Sequence, residues 1–126
     1  MYVTRKLLPG LLLVLAASLS WLAAVPARAH DVVVRSHPAR NGSVPAGEVT
    51  VEIEYSGRID IGRSRLSLAN SDGRERDLPL DKRVGPNIVK ASAGTLGPGA
   101  YTLRWYVLSA DGHLARGTIP FHVTER

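Results

Sequence analysis

Apolar and polar residues alternate strictly from Val49 to Tyr55, and this period of two constrains the fold more than any other feature of the chain. In an extended strand, residues two apart point to the same side, so one face of this segment is apolar and the other carries Thr50, Glu52 and Glu54. The same period returns at Tyr101, Leu103, Trp105 and Val107, and again at Ile119, Phe121 and Val123. Each pattern predicts a half-buried β-strand, with Trp105 in the core between two sheets.

Shorter candidate strands are bounded by turn signals such as Asp72-Gly73 and Gly85-Pro86. These candidates are Val32–Val34, Arg65–Ala69, Arg74–Leu78 and Asn87–Ala91. No segment after the first 29 residues keeps a helical period over the length that a helix needs, which leaves about seven strands. Short strands at this spacing predict an all-β fold, either a two-sheet antiparallel sandwich or a small barrel.

The start of the chain has the pattern of a secretory signal peptide. Arg5 and Lys6 precede an apolar run over residues 7–25, and Ala27-Arg28-Ala29 offers the small residues that signal peptidase accepts. The alternative is an uncleaved anchor, because this run is just long enough to span a bilayer. A Pro-Gly pair near its start and a proline just after its end favour the signal peptide.

Cleavage after Ala29 leaves one small domain, residues 30–126, which we expect in the periplasm as a monomer that does not span the membrane. Three of the 16 basic residues lie in the leader, so the net charge falls from +5 for the whole chain to +2 for this domain. Its arginines alternate with acidic and turn residues, and we therefore expect no nucleic acid as a partner. The chain has no cysteine, which is compatible with export because an oxidising compartment permits disulfides without requiring them.

Cleavage at this position would make His30 the first residue, with a free α-amine beside an imidazole. Asp111 and His113 follow a predicted strand and lie two residues apart, so the carboxylate and the imidazole can point at one ion. Together these residues offer three nitrogens and one oxygen, a donor set that suits Cu(II) better than Zn(II). Asp111-Gly112 is also a common turn, so a hairpin tip with a solvated histidine stays open.

Further residues that accompany this donor set carry a family resemblance. They are Val32–Val34, Ser36-x-Pro38-Ala39, Gly42-Ser43, Val51–Ser56, Trp105, Ser109-x-Asp111-x-His113 and Gly117-x-x-x-Phe121-x-Val123. With His30, this order resembles the CopC-type periplasmic copper-resistance proteins over essentially the whole chain after the leader. The resemblance implies a small antiparallel Greek-key β-sandwich, cupredoxin-like and immunoglobulin-like in shape. It also implies a protein that carries copper without catalysing a reaction. The Cu(II) ligands that it implies are His30, Asp111 and His113. The possible partner that it implies is a CopD-type transporter of the inner membrane.

The chain departs from the family pattern at two points. Some members bind Cu(I) through a methionine-rich segment, whereas the single methionine here is Met1. Many members place a glutamate after a strand that ends in Phe-Ser or Tyr-Ser, whereas here Gly57 takes that position, which removes a possible support for the ligands. His37 and His122 are expected to be exposed and outside the site.

The leading hypothesis is an exported Cu(II)-binding protein that buffers the ion or delivers it to a membrane partner. An oxidative copper enzyme that cuts polysaccharides is the alternative, because such enzymes also use an amino-terminal histidine. Asp111 disfavours it, since a carboxylate fills a position that oxygen chemistry would need open. A metal-free immunoglobulin-like interaction module would explain the strands equally well but not the histidine at the cleavage point.

Overall fold

The computed structural model describes residues 32–126, so the predicted leader and His30 lie outside the described residues. The described chain is built from β-strands. They are β1 (Val33–His37), β2 (Ser43–Pro45), β3 (Gly47–Tyr55), β4 (Ile59–Asn70), β5 (Glu75–Asp77), β6 (Ile88–Leu96), β7 (Gly99–Ser109) and β8 (Leu114–Thr124). No helix in residues 32–126 is long and apolar enough to cross a membrane.

The strands form two sheets that pack face to face. One has three strands in the order β1-β3-β6, and the other has five in the order β2-β8-β7-β4-β5. Neighbouring strands are antiparallel except β2, which runs parallel to the end of β8. This arrangement confirms the predicted all-β sandwich.

The apolar faces predicted from the alternating segments form the core. Val49, Val51, Ile53 and Tyr55 of β3 are all buried, and they meet Leu103 and Val107 of β7 together with Ile119, Phe121 and Val123 of β8. Burial of this kind stabilises the sandwich by about 25 cal/mol for each Å² of apolar surface removed from water. Without cysteine, this apolar contact has no disulfide to assist it.

Several strands extend beyond their predicted bounds, and β2 was not predicted. β2 has three residues and only Val44 buried, too short a segment for alternation to be visible. β4 starts at Ile59 because it pairs with the end of β7 before its register shifts between Asp60 and Arg65. β6 continues to Leu96 through small residues that conceal the pattern, although Ala93 and Leu96 are buried.

Trp105 is half-buried at the edge of the core rather than fully enclosed. Its ring meets the Tyr55 ring edge to face, with the centroids 5.4 Å apart. Across the β7–β8 pair it lies opposite Gly117, where a Cβ atom would stand 2.5 Å from Trp105 Cζ2. Glycine is therefore required at position 117 because the indole covers its backbone.

We predict that Tyr55→Phe stabilises the protein. Tyr55 is fully buried, and within residues 32–126 its hydroxyl has no hydrogen-bond partner. Burial raises the pKa of this hydroxyl above its usual range, and the buried polar group costs free energy because it has lost water without compensation. Removing it should increase the free energy of unfolding by about 1 kcal/mol, measured by urea denaturation.

Tyr101→Phe is the matched control. The Tyr101 hydroxyl donates a hydrogen bond to the Gly97 carbonyl at 2.8 Å, so its removal should lower the free energy of unfolding by about 0.5–1.5 kcal/mol. Opposite signs for the two substitutions support the assignment. Destabilisation by Tyr55→Phe would show that the buried hydroxyl has a partner.

Candidate metal centre

The turn between β7 and β8 holds two of the three predicted ligands. Ser109 donates its backbone N–H to the His113 carbonyl at 2.8 Å, and Gly112 donates to the Ser109 carbonyl at 3.0 Å. Gly112 has φ of 90°, a conformation that side-chain-bearing residues rarely adopt. The Asp-Gly pair therefore fixes a tight turn that directs the side chains of Asp111 and His113 toward each other.

The Asp111 carboxylate is the electrostatic centre of this turn. Its Oδ1 atom accepts hydrogen bonds from the Ser109 hydroxyl, from the His113 backbone N–H at 3.2 Å and from His113 Nδ1 at 3.0 Å. These donors, the Ser109 hydroxyl first, lower the pKa of Asp111 to about 2 because they stabilise the charged form. The carboxylate consequently stays ionised and ready to bind a cation throughout the neutral and mildly acidic range.

Both side chains can be reached from solvent. The side chain of Asp111 is 67% exposed and that of His113 is 54% exposed. The Ser109 hydroxyl and the His113 backbone N–H both donate to Oδ1, and the carboxylate also carries a second oxygen, Oδ2, that can bind an incoming ion. A carboxylate oxygen and an imidazole nitrogen at one exposed turn form half of a four-coordinate metal site.

The loop between β3 and β4 joins this turn to the start of the described chain. Ala110 donates its backbone N–H to the Arg58 carbonyl at 2.9 Å. At the other end of the same loop, Ser56 donates its N–H to the Val32 carbonyl at 2.9 Å, and Val32 donates its N–H to the Ser56 hydroxyl at 3.0 Å. Val32 is thus held at the end of the sandwich where Asp111 and His113 lie.

The other two described histidines lie away from this turn. His37 is exposed at the end of β1, opposite Glu52, and His122 is exposed on β8, opposite Ala100. Both predictions of exposure are confirmed. The part of the chain from residue 32 onward contains no group of three or more His, Cys, Asp or Glu residues that could hold a metal ion.

Two serines position the site in ways that the sequence did not reveal. The Ser109 hydroxyl orients the Asp111 carboxylate, and the Ser56 hydroxyl anchors Val32. The spacing Ser109-x-Asp111 is the signal that could have indicated the first contact, because residues two apart in an extended segment face the same side. No local signal exists for the second contact, since its partners are 24 residues apart.

Comparisons with known proteins agree with this architecture. A family model of the CopC domain matches residues 33–124. "Protein YobA" of Escherichia coli strain K12 is 29% identical over 98 residues, which cover 75% of this chain and 79% of that protein. The copper transport protein CutJ of Bacillus subtilis strain 168 is 30% identical over 98 residues, but these cover only 18% of CutJ.

Two solved structures share the fold. CopC from Methylosinus trichosporium OB3b superposes with a TM-score of 0.72 and 25% identity, covering 77% of this chain and 96% of that one. PcoC, a methionine-rich copper resistance protein from Escherichia coli, superposes with a TM-score of 0.62 and 20% identity, covering 76% of this chain and 100% of that one. The likeness to PcoC supports the fold alone.

Proposed function

The chain belongs to the CopC family, whose domain model spans residues 33–124, and from this premise we propose that it is an exported copper-binding protein of copper resistance. It binds one Cu(II) ion and buffers it or delivers it to a membrane partner, without catalysing a reaction. The related protein CutJ is a copper transport protein, which points in the same direction.

The observation that carries the proposal is the meeting of Asp111 and His113, with 3.0 Å between Oδ1 and Nδ1, at an exposed turn. Structural ion pairs of this kind are common on protein surfaces and contribute little to stability. Here, however, the carboxylate is kept ionised by three hydrogen bonds, and the pair lies beside the loop that holds Val32. An anionic oxygen and an imidazole in this position suit a divalent ion.

His30 supplies the remaining ligands in this proposal. Two residues of extended chain span at most about 7 Å, so only a short length of chain joins His30 to Val32, which bonds Ser56. Cleavage after Ala29 would free the amine of His30, which can then bind the ion together with its own imidazole. The resulting set of three nitrogens and one oxygen favours Cu(II), which heads the affinity order for such ligands.

The cellular role follows from export. A protein processed by signal peptidase at Ala29 would act in the periplasm, where it meets Cu(II) before the ion reaches the inner membrane. We propose that the recipient is a transporter of the CopD type. The lack of methionine beyond Met1 removes soft thioether ligands, so Cu(I) is bound more weakly than Cu(II).

The test is a titration of Cu(II) into the protein recovered after export, with the N-terminal residue established by sequencing. One equivalent should bind the wild type. His113→Ala and Asp111→Ala should each weaken binding by at least about tenfold, because each removes a ligand from a shared site. Isothermal calorimetry with a competing chelator measures the affinities.

The matched controls are His122→Ala and His37→Ala, which remove exposed imidazoles far from the turn. Both should bind Cu(II) as tightly as the wild type. An equal loss in His122→Ala would assign the ion to scattered surface histidines. Equal or tighter binding of Cu(I) would contradict the nitrogen and oxygen ligand set.

A further inference from the structure

The outer face of the five-stranded sheet, turned away from the three-stranded sheet, gathers three arginines around one tyrosine. Tyr106 on β7 lies opposite Arg65 of β4 on one side and opposite Arg116 of β8 on the other. Neighbouring strands are about 4.8 Å apart, so these three residues form one row across the sheet. Arg104 lies two residues before Tyr106 and therefore on the same face. We call these four residues, with Leu114, the arginine–tyrosine face.

The arginines of this face have little intramolecular neutralisation. In the part of the chain from Val32 onward, no carboxylate forms an ion pair with Arg65 or Arg116. Arg104 approaches Glu75 with 3.8 Å between Nε and Oε1, and both side chains are well exposed. An ion pair at that distance and exposure contributes little, so the face keeps most of its positive charge.

The face is also partly apolar. Tyr106 is 38% exposed and Leu114 is 58% exposed, which places both among the large hydrophobic side chains left in contact with solvent. Leu114 lies two residues before Arg116 and so projects from the same side of β8. Tyrosine and arginine are enriched in the energetically important parts of protein interfaces, and exposed apolar residues beside them are typical of such surfaces.

From this composition we infer that the arginine–tyrosine face binds an acidic segment of a partner protein. Arginine's planar fork pairs with a carboxylate through two parallel hydrogen bonds, and an apolar residue of the same segment can cover Tyr106 and Leu114. The arginines line a groove of about 940 Å³, a volume that admits a stretch of polypeptide.

The groove also argues against a membrane surface as the occupant. Glu75 and Asp77 of β5 line its opposite side, so the positive charge covers only part of the sheet. A plane of anionic lipid headgroups would meet these carboxylates as well as the arginines and would be repelled by them. A narrow acidic segment can follow the arginine row and avoid them.

The location links this surface to the β7–β8 turn. Tyr106 and Arg116 lie two residues along their strands from Leu108 and Leu114. These two leucines are the last paired residues of β7 and β8 before the turn. A partner docked on the arginine–tyrosine face would therefore lie about 7 Å along the strands from Leu108 and Leu114, where the turn that carries Asp111 and His113 begins. The inference goes beyond copper binding, because it depends on charge and surface composition and not on the metal.

The experiment measures binding of a fluorescein-labelled peptide of glutamate and leucine to the metal-free exported protein by fluorescence anisotropy. Arg65→Gln combined with Arg116→Gln should weaken binding by about tenfold, and higher salt should weaken wild-type binding through screening. Tyr106→Ala should weaken it several-fold with no change in charge. Thermal unfolding and Cu(II) titration of the double variant should match the wild type, which separates this inference from the copper proposal.

The matched control is Arg74→Gln combined with Arg83→Gln, two exposed arginines elsewhere on the surface that remove the same charge. It should bind the peptide within about twofold of the wild type, because the remaining difference is long-range electrostatics. Equal weakening by both double variants would mean that net charge alone attracts the peptide and would overturn the inference. Binding to phosphatidylglycerol vesicles through Arg65 and Arg116, without binding to the peptide, would overturn it in favour of a membrane surface.

Discussion

Blocking the amine of His30 should reduce the affinity for Cu(II) by at least about a hundredfold. Removing a residue that only supports a metal ligand lowers metal affinity by about 10–100-fold, and here a ligand itself is removed. One added residue before His30 turns the amine into a peptide nitrogen, which has no lone pair to donate. The chelate of amine and imidazole within one residue is then broken, while Asp111 and His113 are unchanged. Competition with a chelator of known affinity measures the difference.

Two further proteins sharpen this result. Acetylated His30 removes the amine without adding a side chain, so it should lose affinity as the extended protein does. An extension after Arg126 adds the same residue at the other terminus and should bind Cu(II) like the wild type. If the two extended proteins bind equally well, the amine is not a ligand and the N-terminal histidine site is wrong.

Lowering the pH from 7 to 5 should weaken Cu(II) binding by about a thousandfold through the two nitrogen ligands of His30 alone. An α-amino group ordinarily has a pKa of about 7.7–8.0, and an imidazole has a pKa of about 6.5. Both groups must lose a proton to bind the ion, so acid competes with copper and affinity falls as pH falls. Asp111 adds nothing to this slope, because its pKa is held at about 2 and the carboxylate is ionised across the whole range. Affinity measured at pH intervals gives the slope.

Asp111→Asn separates the contribution of the carboxylate to Cu(II) affinity from the pH dependence that the nitrogen ligands cause. It removes an anionic ligand, so affinity should be lower at every pH, but the slope between pH 5 and 7 should match that of the wild type. The amine-blocked protein should instead show a shallower slope, because one fewer proton is displaced. Affinity that does not change over this interval would contradict nitrogen ligation altogether.

The strands that the sequence predicted best are those whose pattern is local. In β3, β7 and β8 the alternation of apolar and polar residues is enough to identify the buried face, since each strand carries its own signal. β2 carries no such signal, because three residues are ordered only by their parallel pairing with the end of β8. The first half of β8 was also missed, since the Trp105 ring covers Gly117, which has no side chain to show an apolar position in the sequence.

The surface arginines likewise show what a local sequence pattern reveals and what it does not. Arg65, Arg104 and Arg116 are far apart in the sequence and appeared there as scattered surface charges without a stripe. Each is exposed, and the pairing of β4, β7 and β8 sets them around Tyr106. A charge pattern across strands depends on register, and register between distant segments is not visible in a single sequence.

By itself, the sequence determined the chemistry of the candidate site: an Asp-x-His pair with the spacing of side chains that share one side, and a histidine at the predicted cleavage point. The tertiary structure alone decided what lies beside that pair. The contact of Ala110 with Arg58 and that of Val32 with Ser56 bring the turn and the start of the domain to one end of the sandwich. These hydrogen bonds join residues separated by 24 or more positions and extend the β1–β3 and β4–β7 pairings, so they form only when those distant strands have paired, and no local propensity encodes them.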